Sequence, residues 1–531
     1  MSTTTTTSVQ CAPENHHPLD NFPRMYQAYL ACRRTKRNRA SALRFELNHE
    51  ENLLQLLAEL REQRYQPATS ICFYTRKPKA REIFAADFRD RVVHHLVYGE
   101  IAPHWEKSFI HHSYACRNRK GIHAAAKALQ RMLCRITANG RRRAYFHKID
   151  IHNFFMTIDR RRLFDILARR CRDPQMLQLL RVIVFHDPTA DYVLQDRDNL
   201  RDLLPRHKSL FHAAPFCGLA IGNLTSQFFA NVYLDELDQF VKHVLRCRHY
   251  LRYVDDCILL AADAQQLQEW HAAIAVFLAE RLALRLNERA TRLGPVAGGI
   301  DFAGFIVSPG RRLVRRRVIG NLREKLRQVE RQLVARLPTY TAYRFDEPTL
   351  NKCLAMLNSY LGHFQHAQTR GCVVRLWREF PFLRHYFKLT PRKVTLLTKP
   401  LRRMRRLQQQ VRWLRWRFAG HLCLVAIGCY YEAFGADAQR LAALTGLRLH
   451  ETWRGLRFGC GFHRKHRHGI LARLKEQRVP LVLIHETGRE LYGTKERMPY
   501  VMVEFPSNNL WPAPELKDAR CGERTVPIRQ R

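Results

Sequence analysis

Apolar residues recur along the chain at two spacings, which together predict an α+β fold. An apolar residue at every third or fourth position is typical of an amphipathic helix. This spacing marks Pro23 to about Gln66, His123 to Ile136, and Leu224 to Leu245. Short apolar runs between turn residues are typical of strands. Such runs mark residues 71–88 (two strands about a basic turn), 144–150, 251–261 and 298–307.

The pattern changes after Gly310 and divides the chain into predicted domains. Before this residue helices and strands are mixed, whereas after it come basic helices such as NLREKLRQVERQLVARL. A stretch rich in Pro and Arg follows, and then a second α/β pattern. The predicted segments are a disordered tail at 1–22, a mixed domain at 23–310, a helical domain at 311–390, a basic linker at 391–415, a small α/β domain at 416–505 and a polar tail at 506–531.

The balance of charge points to a polyanionic partner. With 90 Lys and Arg against 47 Asp and Glu, the chain has a formal net charge of +43, which favours nucleic acid first and an acidic membrane surface second. No apolar run approaches the roughly 18 residues of a membrane-spanning helix, so a membrane partner is not expected. The 15 cysteines form no Cys-x-x-Cys pair, and the opening MSTTTTTSVQ is unlike a signal peptide. These features predict a protein of the reducing cytoplasm without a zinc module or disulfide framework.

Two adjacent carboxylates, Asp255 and Asp256, lie inside the apolar stretch HYLRYVDDCILLA. Buried carboxylates are costly unless a cation offsets their charge, and the plain alternative for such a pair is a solvated turn. A third carboxylate, Asp150, ends the strand AYFHKID and is placed to face them. Phosphoryl transfer with two divalent ions needs hard oxygen ligands of this kind. The three residues are therefore predicted to be catalytic and to hold two Mg²⁺ ions, with Mn²⁺ as the alternative.

Tyr253-Val254-Asp255-Asp256 resembles the signature hairpin of reverse transcriptases, and further motifs of that family stand in order between Pro23 and Phe387. The resemblance implies a right-hand polymerase with fingers, a ferredoxin-like palm and a helical thumb, which copies RNA into DNA. It also implies roles for particular residues beyond the three carboxylates. These are Ile151 (main-chain metal contact), Lys79, Arg81, Arg117 and Lys120 (triphosphate contacts of the fingers), Phe155 (aromatic gate against a ribose 2′-hydroxyl, or else a core residue), and Phe302, Gly304 and Phe305 (primer grip).

The stretch from Ile221 to Gln227, IGNLTSQ, departs from the Gln-Gly-x-x-x-Ser-Pro of many reverse transcriptases and resembles the enzymes of diversity-generating retroelements. Ile221, Gly222 and Gln227 then belong to the nucleotide site, and Ile221 replaces an amide beside the new base pair. Looser pairing implies error-prone copying at template adenines, and the alternative is a neutral packing change. A second departure is Ala290, where the family usually has a Lys that is a candidate proton donor to pyrophosphate. The neighbouring guanidinium is a poor acid, so slow turnover or another donor is expected.

The segment 416–505 resembles the N-terminal mismatch-recognition domain of MutS. There, a Gly-Asp-Phe-Tyr-Glu-Leu-Phe stretch places an aromatic ring beside a mispair and a Glu against the base. Here the stretch is GCYYEAF, with Tyr430 and Glu432 at these two positions, which implies a small α/β domain that contacts mismatched DNA. The MutS ATPase signature Gly-x-x-x-x-Gly-Lys-Ser/Thr does not occur in the chain. A basic surface rather than a metal site is the interpretation of the nearby Cys460, His463, His466 and His468.

Together these resemblances imply an RNA-directed DNA polymerase of a bacterial diversity-generating retroelement. Its expected partners are an RNA template, the cDNA heteroduplex, deoxynucleoside triphosphates and an accessory retroelement protein. Two rival interpretations stay open. One is a reverse transcriptase of the group II intron or phage-defence type with ordinary fidelity, and the other is a non-catalytic nucleic-acid-binding protein. Three clustered carboxylates argue against the second, because a protein that only binds phosphate gains nothing from negative charge there.

Overall fold

The protein forms two compact units, Met1–Arg315 and Arg316–Arg531. The structure is a computed structural model and describes residues 17–34, 36–76, 79–196, 199–397, 404–451, 456–491 and 493–506. The division between the units lies close to the boundary predicted after Gly310. In the described ranges, no helix combines the length and the apolar character needed to cross a membrane.

The first unit is a mixture of helices and short strands. Its helices are α1 (Phe22–Arg33), α2 (Ala40–Leu47), α3 (His49–Arg61), α4 (Phe88–Ser108), α5 (Ile122–Ile136), α6 (Phe154–Thr157), α7 (Arg160–Ala168), α8 (Pro174–Phe185), α9 (Leu224–Gln239) and α10 (Ala264–Leu282). Its strands are β1 (Ser70–Thr75), β2 (Arg81–Ala85), β3 (Tyr145–Ile149), β4 (Tyr192–Leu194), β5 (His249–Tyr253), β6 (Asp256–Ala261), β7 (Arg292–Pro295), β8 (Ile300–Phe302), β9 (Phe305–Val307) and β10 (Arg312–Val314). Helices and strands therefore lie where the two spacings predicted them.

The central sheet of this unit has the order β5-β6-β3-β7 and is antiparallel throughout. Along the chain, β3 is followed by α6 to α9, the β5–β6 hairpin, α10 and β7. This is the β-α-β-β-α-β arrangement of ferredoxin-like sheets, in agreement with the predicted palm. Helix α10 packs on β3 and β6 and places Leu267, Ile274 and Leu278 in the core. The packed sheet fixes the end at which β3 stops and the β5–β6 hairpin turns.

The predicted disordered tail at 1–22 is wrong for its last residues. A short 3₁₀ helix spans Pro18–Asp20, and Leu19 is buried. His17 Nε2 lies 2.6 Å from Asp173 Oδ2. The buried Leu19 side chain and the contact of His17 with Asp173 hold this stretch on the domain, although its sequence is mostly polar. Residues 1–16 of the predicted tail lie outside the described part of the chain.

The second unit also contains both helices and strands. Its helices are α11 (Arg316–Leu333), α12 (Glu347–Phe364), α13 (Arg370–Glu379), α14 (Leu383–Tyr386), α15 (Leu407–Arg417), α16 (Ala436–Thr445) and α17 (Arg467–Glu476). Its strands are β11 (Val334–Arg336), β12 (Thr341–Arg344), β13 (Phe387–Leu389), β14 (Val394–Leu396), β15 (Leu422–Ile427), β16 (Tyr430–Phe434), β17 (His450–Glu451), β18 (Phe458–His463), β19 (Leu481–Leu491) and β20 (Thr494–Glu504).

One sheet, in the order β11-β12-β20-β19-β15-β16-β18-β17, runs through this second unit. The pairing of Thr341 with Glu504 and of Arg344 with Val501 joins β12 to β20. The predicted helical domain at 311–390 is thus corrected, because two of its strands cover an edge that β20 would otherwise expose. The predicted linker at 391–415 is corrected as well, because it contains β14 and the start of α15. Its residues 398–403, like residues 507–531 of the predicted C-terminal tail, lie outside the described ranges.

Candidate active site

The turn between β5 and β6 is tight and strained. Tyr253 pairs with Asp256, so only Val254 and Asp255 form the turn. Val254 has φ of +57°, a region that a β-branched side chain rarely enters. Strain of this kind costs about 1–3 kcal/mol and persists only where the surroundings impose it. The strained turn presents the Asp255 carboxylate next to the one on Asp256.

The third carboxylate reaches the same place from the neighbouring strand. Ile149 pairs with Cys257, and one further step in this antiparallel register brings Asp150 opposite Asp256. Burial raises the pKa of the Asp255 carboxyl to about 6, and repulsion from Asp256 and Asp150 adds to the effect. The structure therefore brings together the three carboxylates that the sequence predicted.

Two neighbours of these carboxylates were not predicted. Lys148 Nζ lies 3.1 Å from Asp256 Oδ1, and Asn287 Nδ2 donates to Asp150 Oδ2 at 2.8 Å. Lys148 precedes Asp150 by two residues on β3, and this spacing places both on one face of a strand. That spacing was the available sequence signal for Lys148. For Asn287 there was none, because its approach depends on the chain returning after α10.

The residues fit an open divalent-metal site. The segment after β3 pairs with residues 285–287 through two main-chain hydrogen bonds. The amide of His152 donates to the carbonyl of Arg285 at 2.9 Å, and the amide of Asn287 donates to the carbonyl of Asp150 at 2.8 Å. In this antiparallel pattern the carbonyl of Ile151 points away from residues 285–287 and does not pair with them. It is therefore available for the main-chain metal contact that was predicted for Ile151. Within the described residues, no three His, Cys, Asp or Glu side chains form a cluster able to hold a metal ion. Carboxylate and carbonyl oxygens completed by substrate phosphates are typical of Mg²⁺ sites, which seldom are closed protein cages.

A buried ion pair supports the strained turn from behind. Arg252 and Asp238 are both fully buried. Arg252 Nη2 donates to Asp238 Oδ2 at 2.7 Å, and Nη1 donates to the carbonyl of Val254 at 3.1 Å. Asn231 accepts a bond from the same guanidinium at 3.2 Å, and Tyr250 donates to Asp238 at 2.8 Å. The network therefore ties the turn to helix α9, and sequence reasoning missed it.

The first pair of predicted triphosphate contacts lies at the β1–β2 hairpin. Arg81 begins β2 opposite Thr75, and both Arg81 and Lys79 are exposed. The positive charge of Arg81 counteracts the rise in the pKa of Asp255, so its guanidinium lies within electrostatic reach of the carboxylates. Both cations are placed to meet an anionic ligand.

The second pair of predicted triphosphate contacts, Arg117 and Lys120, lies in the loop between α4 and α5. The Arg117 side chain is 6% exposed and pairs with Glu106, and its guanidinium donates to two main-chain carbonyls at 2.8 and 3.1 Å. The Lys120 ammonium donates to the carbonyl of His111 and lies 5.1 Å from the centre of the Tyr114 ring. These cations donate to carbonyls of their own loop, so they help to satisfy its main-chain acceptors. Their phosphate contacts stay a prediction, and a bound triphosphate would compete with these carbonyls for the two cations.

Phe155 and Ile221 pack against one small apolar cluster that includes Phe84 and Met156. The amide of Phe84 donates to the carbonyl of Ile221 at 3.0 Å. Gly222 has φ of +135°, and a Cβ there would lie 2.7 Å from the Phe84 carbonyl oxygen, so only glycine fits. The structure thus places Phe155, the predicted aromatic gate, and Ile221, the apolar residue where many reverse transcriptases have Gln, against the same cluster.

Gln227 lies in the first turn of α9. Its side-chain oxygen accepts a bond from Cys116 Sγ at 3.2 Å, and both residues are exposed. The bond joins the helix to the loop that carries Arg117. The Gln227 amide keeps its N–H donors and a second lone pair that this bond does not use, so its contact with a nucleotide stays a prediction.

The predicted primer grip lies at the β8–β9 hairpin. Phe302 and Phe305 are both fully buried, and the Phe302 ring packs edge-on against Tyr253 at 6.4 Å. Ala303 and Gly304 form the turn between them, with φ of +50° and +91°, as in a tight two-residue hairpin. Phe302 packs the hairpin against the catalytic turn, and Phe305 packs against His123 of α5. The partly exposed Ala303 and Gly304 at the tip are more accessible to a primer than the two buried rings.

In the second unit, Tyr430 and Glu432 project from one face of β16, because they are two residues apart on a strand. Tyr430 is 49% exposed, and its ring stands edge-on to His463 at 5.2 Å. The turn after His463 starts with Arg464, whose amide donates to the carbonyl of Cys429 at 2.9 Å. An exposed aromatic ring therefore lies next to a basic turn.

The chain matches one protein family over the residues that build this site. Residues 75–307 match the family described as reverse transcriptase (RNA-dependent DNA polymerase). The matched stretch extends from the β1–β2 hairpin through the three carboxylates to the β8–β9 hairpin. No curated protein matches the chain.

Solved structures that are similar to parts of the chain include two telomerases. An apo telomerase from Candida tropicalis, truncated from its C-terminal domain, is 10% identical with a TM-score of 0.34, and the match covers 46% of this chain and 55% of that one. A telomerase from Candida albicans in complex with the TWJ fragment of telomeric RNA is 12% identical with a TM-score of 0.35, covering 61% and 60%. The chain spans little more than half the length of these two telomerase chains.

Proposed function

We propose that this reverse transcriptase, whose residues 75–307 form the family's RNA-directed DNA polymerase domain, makes error-prone cDNA in a diversity-generating retroelement. One observation carries the polymerase activity. Asp150, Asp255 and Asp256 meet at one end of the palm sheet, and burial, with added repulsion from Asp256 and Asp150, raises the pKa of Asp255. A site that gathers negative charge at this cost is suited to divalent cations.

Reverse transcriptases generally use divalent metal ions, and here Asp150, Asp255, Asp256 and the Ile151 carbonyl would hold two Mg²⁺, with Mn²⁺ as the alternative. When bound, such ions activate the primer 3′-hydroxyl and neutralise charge on the leaving pyrophosphate. The chain itself orients the carboxylates, since Lys148 holds Asp256 at 3.1 Å. Exposed Arg81 would meet the triphosphate. Ala290 stands where the family usually has a Lys that can donate a proton to pyrophosphate, and the absence of this donor supports slow turnover.

Primed copying of a defined RNA by the purified protein tests the activity, with Asp255→Ala/Asp256→Ala as the blank. Product with errors concentrated opposite template adenine would support the retroelement proposal. Product with few, evenly spread errors would favour an intron-type or phage-defence enzyme. If no product forms even with an accessory retroelement protein, the polymerase proposal fails and a nucleic-acid-binding protein is favoured.

The retroelement type rests on Ile221. Its branched side chain packs in the cluster that Phe155 shares, where many reverse transcriptases have a glutamine. An apolar side chain makes no hydrogen bond to an incoming nucleotide, so correct and incorrect base pairs differ less in energy. The location of Ile221 beside the aromatic gate supports a direct effect on pairing.

Replacing Ile221 by Gln should lower the error frequency opposite template adenine by about fivefold, as expected for one added hydrogen bond of about 1 kcal/mol. The measurement is sequencing of cDNA from primed copying. Ile221→Leu, which keeps the apolar character, is the matched control and should keep the wild-type error pattern. An unchanged adenine error frequency in Ile221→Gln would show that the residue is a neutral packing change.

The second unit supports a proposed mismatch contact. The half-exposed Tyr430 ring is held edge-on by His463, and Glu432 projects from the same face of β16. Arg464 and Lys465 follow directly after His463, so phosphates next to a mispair would meet positive charge. We propose that this MutS-like surface grips the mismatched heteroduplex that the polymerase produces.

Replacing Tyr430 by Ala should weaken binding to mispaired duplex by about tenfold, because stacking on one ring is worth about 1–3 kcal/mol. Fluorescence anisotropy with mispaired and perfect duplexes measures the effect. Tyr430→Phe keeps the ring and should bind like the wild type. Equal affinities of the Ala variant and the wild type for mispaired duplex would refute the proposed contact.

The proposed partners are an RNA template, the cDNA heteroduplex, deoxynucleoside triphosphates and an accessory retroelement protein, and the proposed location is the bacterial cytoplasm. The excess of Lys and Arg, a net charge of +43, supports the nucleic acids in particular. Each phosphate that a cation neutralises releases counterions and makes binding sensitive to salt.

A further inference from the structure

An open groove in the second unit lies between α11, α12 and the strands β12 and β20. Its volume is about 880 Å³. Helix α11 contributes residues 325, 328, 329 and 332, and α12 contributes residues 349, 352, 353 and 356. Both sets follow the i, i+3, i+4, i+7 spacing of a single helix face. Two complete helix faces and two strands therefore line one continuous groove.

The groove is positively charged. Lys325, Arg344 and Lys352 line it and are exposed. Across the described ranges, no ion pair engages any of these three cations. The lining acid Asp346 is occupied as the cap of α12, where it accepts from the amide of Thr349 at 3.0 Å. Besides the hydrogen bonds from Thr349, the nearby Lys352 helps to lower the pKa of the Asp346 carboxyl, and the Lys325 ammonium lies 5.2 Å from the centre of the Tyr360 ring. With three exposed cations against one capped acid, the lining keeps an excess of positive charge, which suits a polyanionic ligand.

An aromatic ring stands at the strand side of the groove. Tyr500 is 52% exposed and stacks on His485, with ring centres 4.3 Å apart and planes 8° from parallel. His485 Nε2 in turn lies 2.6 Å from the Tyr431 hydroxyl. Through this support the Tyr500 ring is fixed before any ligand arrives, which lowers the entropic cost of stacking a base on it.

We propose that this groove binds a single-stranded stretch of the template RNA. Unpaired bases have free faces for stacking on Tyr500, whereas a duplex hides its base faces inside the stack. Lys325, Arg344 and Lys352 meet the phosphates, and the amides of Gln328 and Gln332 can donate to and accept from base edges or 2′-hydroxyls. The choice of RNA rests on the proposed polymerase function, while the groove itself is separate from the carboxylate site.

The test is anisotropy of a fluorescent 12-nucleotide single-stranded RNA on the full chain at several salt concentrations. Lys325→Ala/Lys352→Ala should weaken binding about tenfold and reduce the salt slope by about 1.4, the value for two phosphate contacts. The matched control, Lys388→Ala/Lys393→Ala, removes two exposed charges outside the groove and should cost at most about twofold. Tyr500→Ala should also lose about tenfold, and Tyr500→Phe should bind like the wild type.

Equal losses in the groove and control lysine pairs would overturn the proposal, because they would show binding by overall charge. Equal competition by RNA duplex would overturn it as well, because a duplex offers no free base faces. Primed copying is measured separately on a short template whose single-stranded part is only the stretch to be copied. On this template all groove variants should keep the wild-type rate. A wild-type protein that does not copy would refute the polymerase function but leave the groove result valid.

Discussion

Replacing Asp255 by Asn should abolish primed copying and yet make the metal-free protein more stable. Copying should fall by about a thousandfold or more, since divalent ions at the reacting phosphate contribute several kcal/mol. Stability should rise because the native carboxyl of Asp255 has its pKa raised to about 6 from an ordinary 3.8. A change of about two in pKa corresponds to about 3 kcal/mol. Loss of activity together with gain of stability is the signature of a residue retained for function.

The pH dependence follows from the direction of that shift. Below about pH 4 both the native and the unfolded carboxyl are protonated, and no penalty arises. Between about pH 4 and 6 the unfolded state loses its proton first, so the free energy of unfolding falls as pH rises, and above this range the penalty is complete. Asp255→Asn should lack this decline in urea unfolding measured with a chelator present.

Asp256→Asn is the matched control for this stability gain. Asp256 is 33% exposed and paired with Lys148. Its replacement should abolish copying but stabilise the protein less than Asp255→Asn does, because the relief of its repulsion with Asp255 is offset by the loss of the ion pair with Lys148. Added Mg²⁺ should stabilise the wild type more than either variant. A wild-type level of copying by Asp255→Asn, or a loss of stability in that variant, would contradict the assignment of a repelling carboxylate cluster.

Local sequence patterns were sufficient for the parts of the fold that depend on neighbouring residues. The β5–β6 hairpin, helix α5 and the strand that ends at Asp150 all have strong spacing signals, and the structure places them as predicted. Asp255 and Asp256 stood out because carboxylates are rare between apolar runs. Their meeting with Asp150 then follows from antiparallel pairing of the two strands.

Features that depend on distant partners could not be predicted from such patterns. Strand β12 pairs with β20, more than 150 residues later along the chain, and no local signal marks this pairing. Arg117 looks like a free cation in sequence, and its carbonyl partners become visible only once the loop is folded. Phe302 and Phe305 fit a primer motif, but two phenylalanines beside a tight turn satisfy an apolar core equally well.

Breaking the buried pair behind the catalytic turn should have the second largest effect. Asp238→Asn leaves the guanidinium of Arg252 buried without its carboxylate partner, and loss of one partner from a buried ion pair costs about 3–5 kcal/mol. Arg252→Met leaves the Asp238 carboxylate buried without its ion-pair partner, although the Tyr250 hydroxyl still donates to it. It also removes the donor that holds the Val254 carbonyl at 3.1 Å. Guanidinium unfolding measures the stability, and primed copying at a temperature where each variant is folded measures kcat and KM.

The double variant Asp238→Leu/Arg252→Met separates positioning from stability. Replacing both charges by apolar side chains should recover much of the stability lost in either single variant, because neither charge then stays buried alone. The Val254 carbonyl would still lack its donor, so the strained turn would relax and the Asp255 carboxylate would lose its fixed position. We therefore expect kcat to stay about tenfold or more below wild type with KM little changed. Recovery of both stability and kcat in the double variant would show that Arg252 only stabilises the fold, whereas recovery of stability alone identifies Arg252 as the residue that positions the catalytic turn.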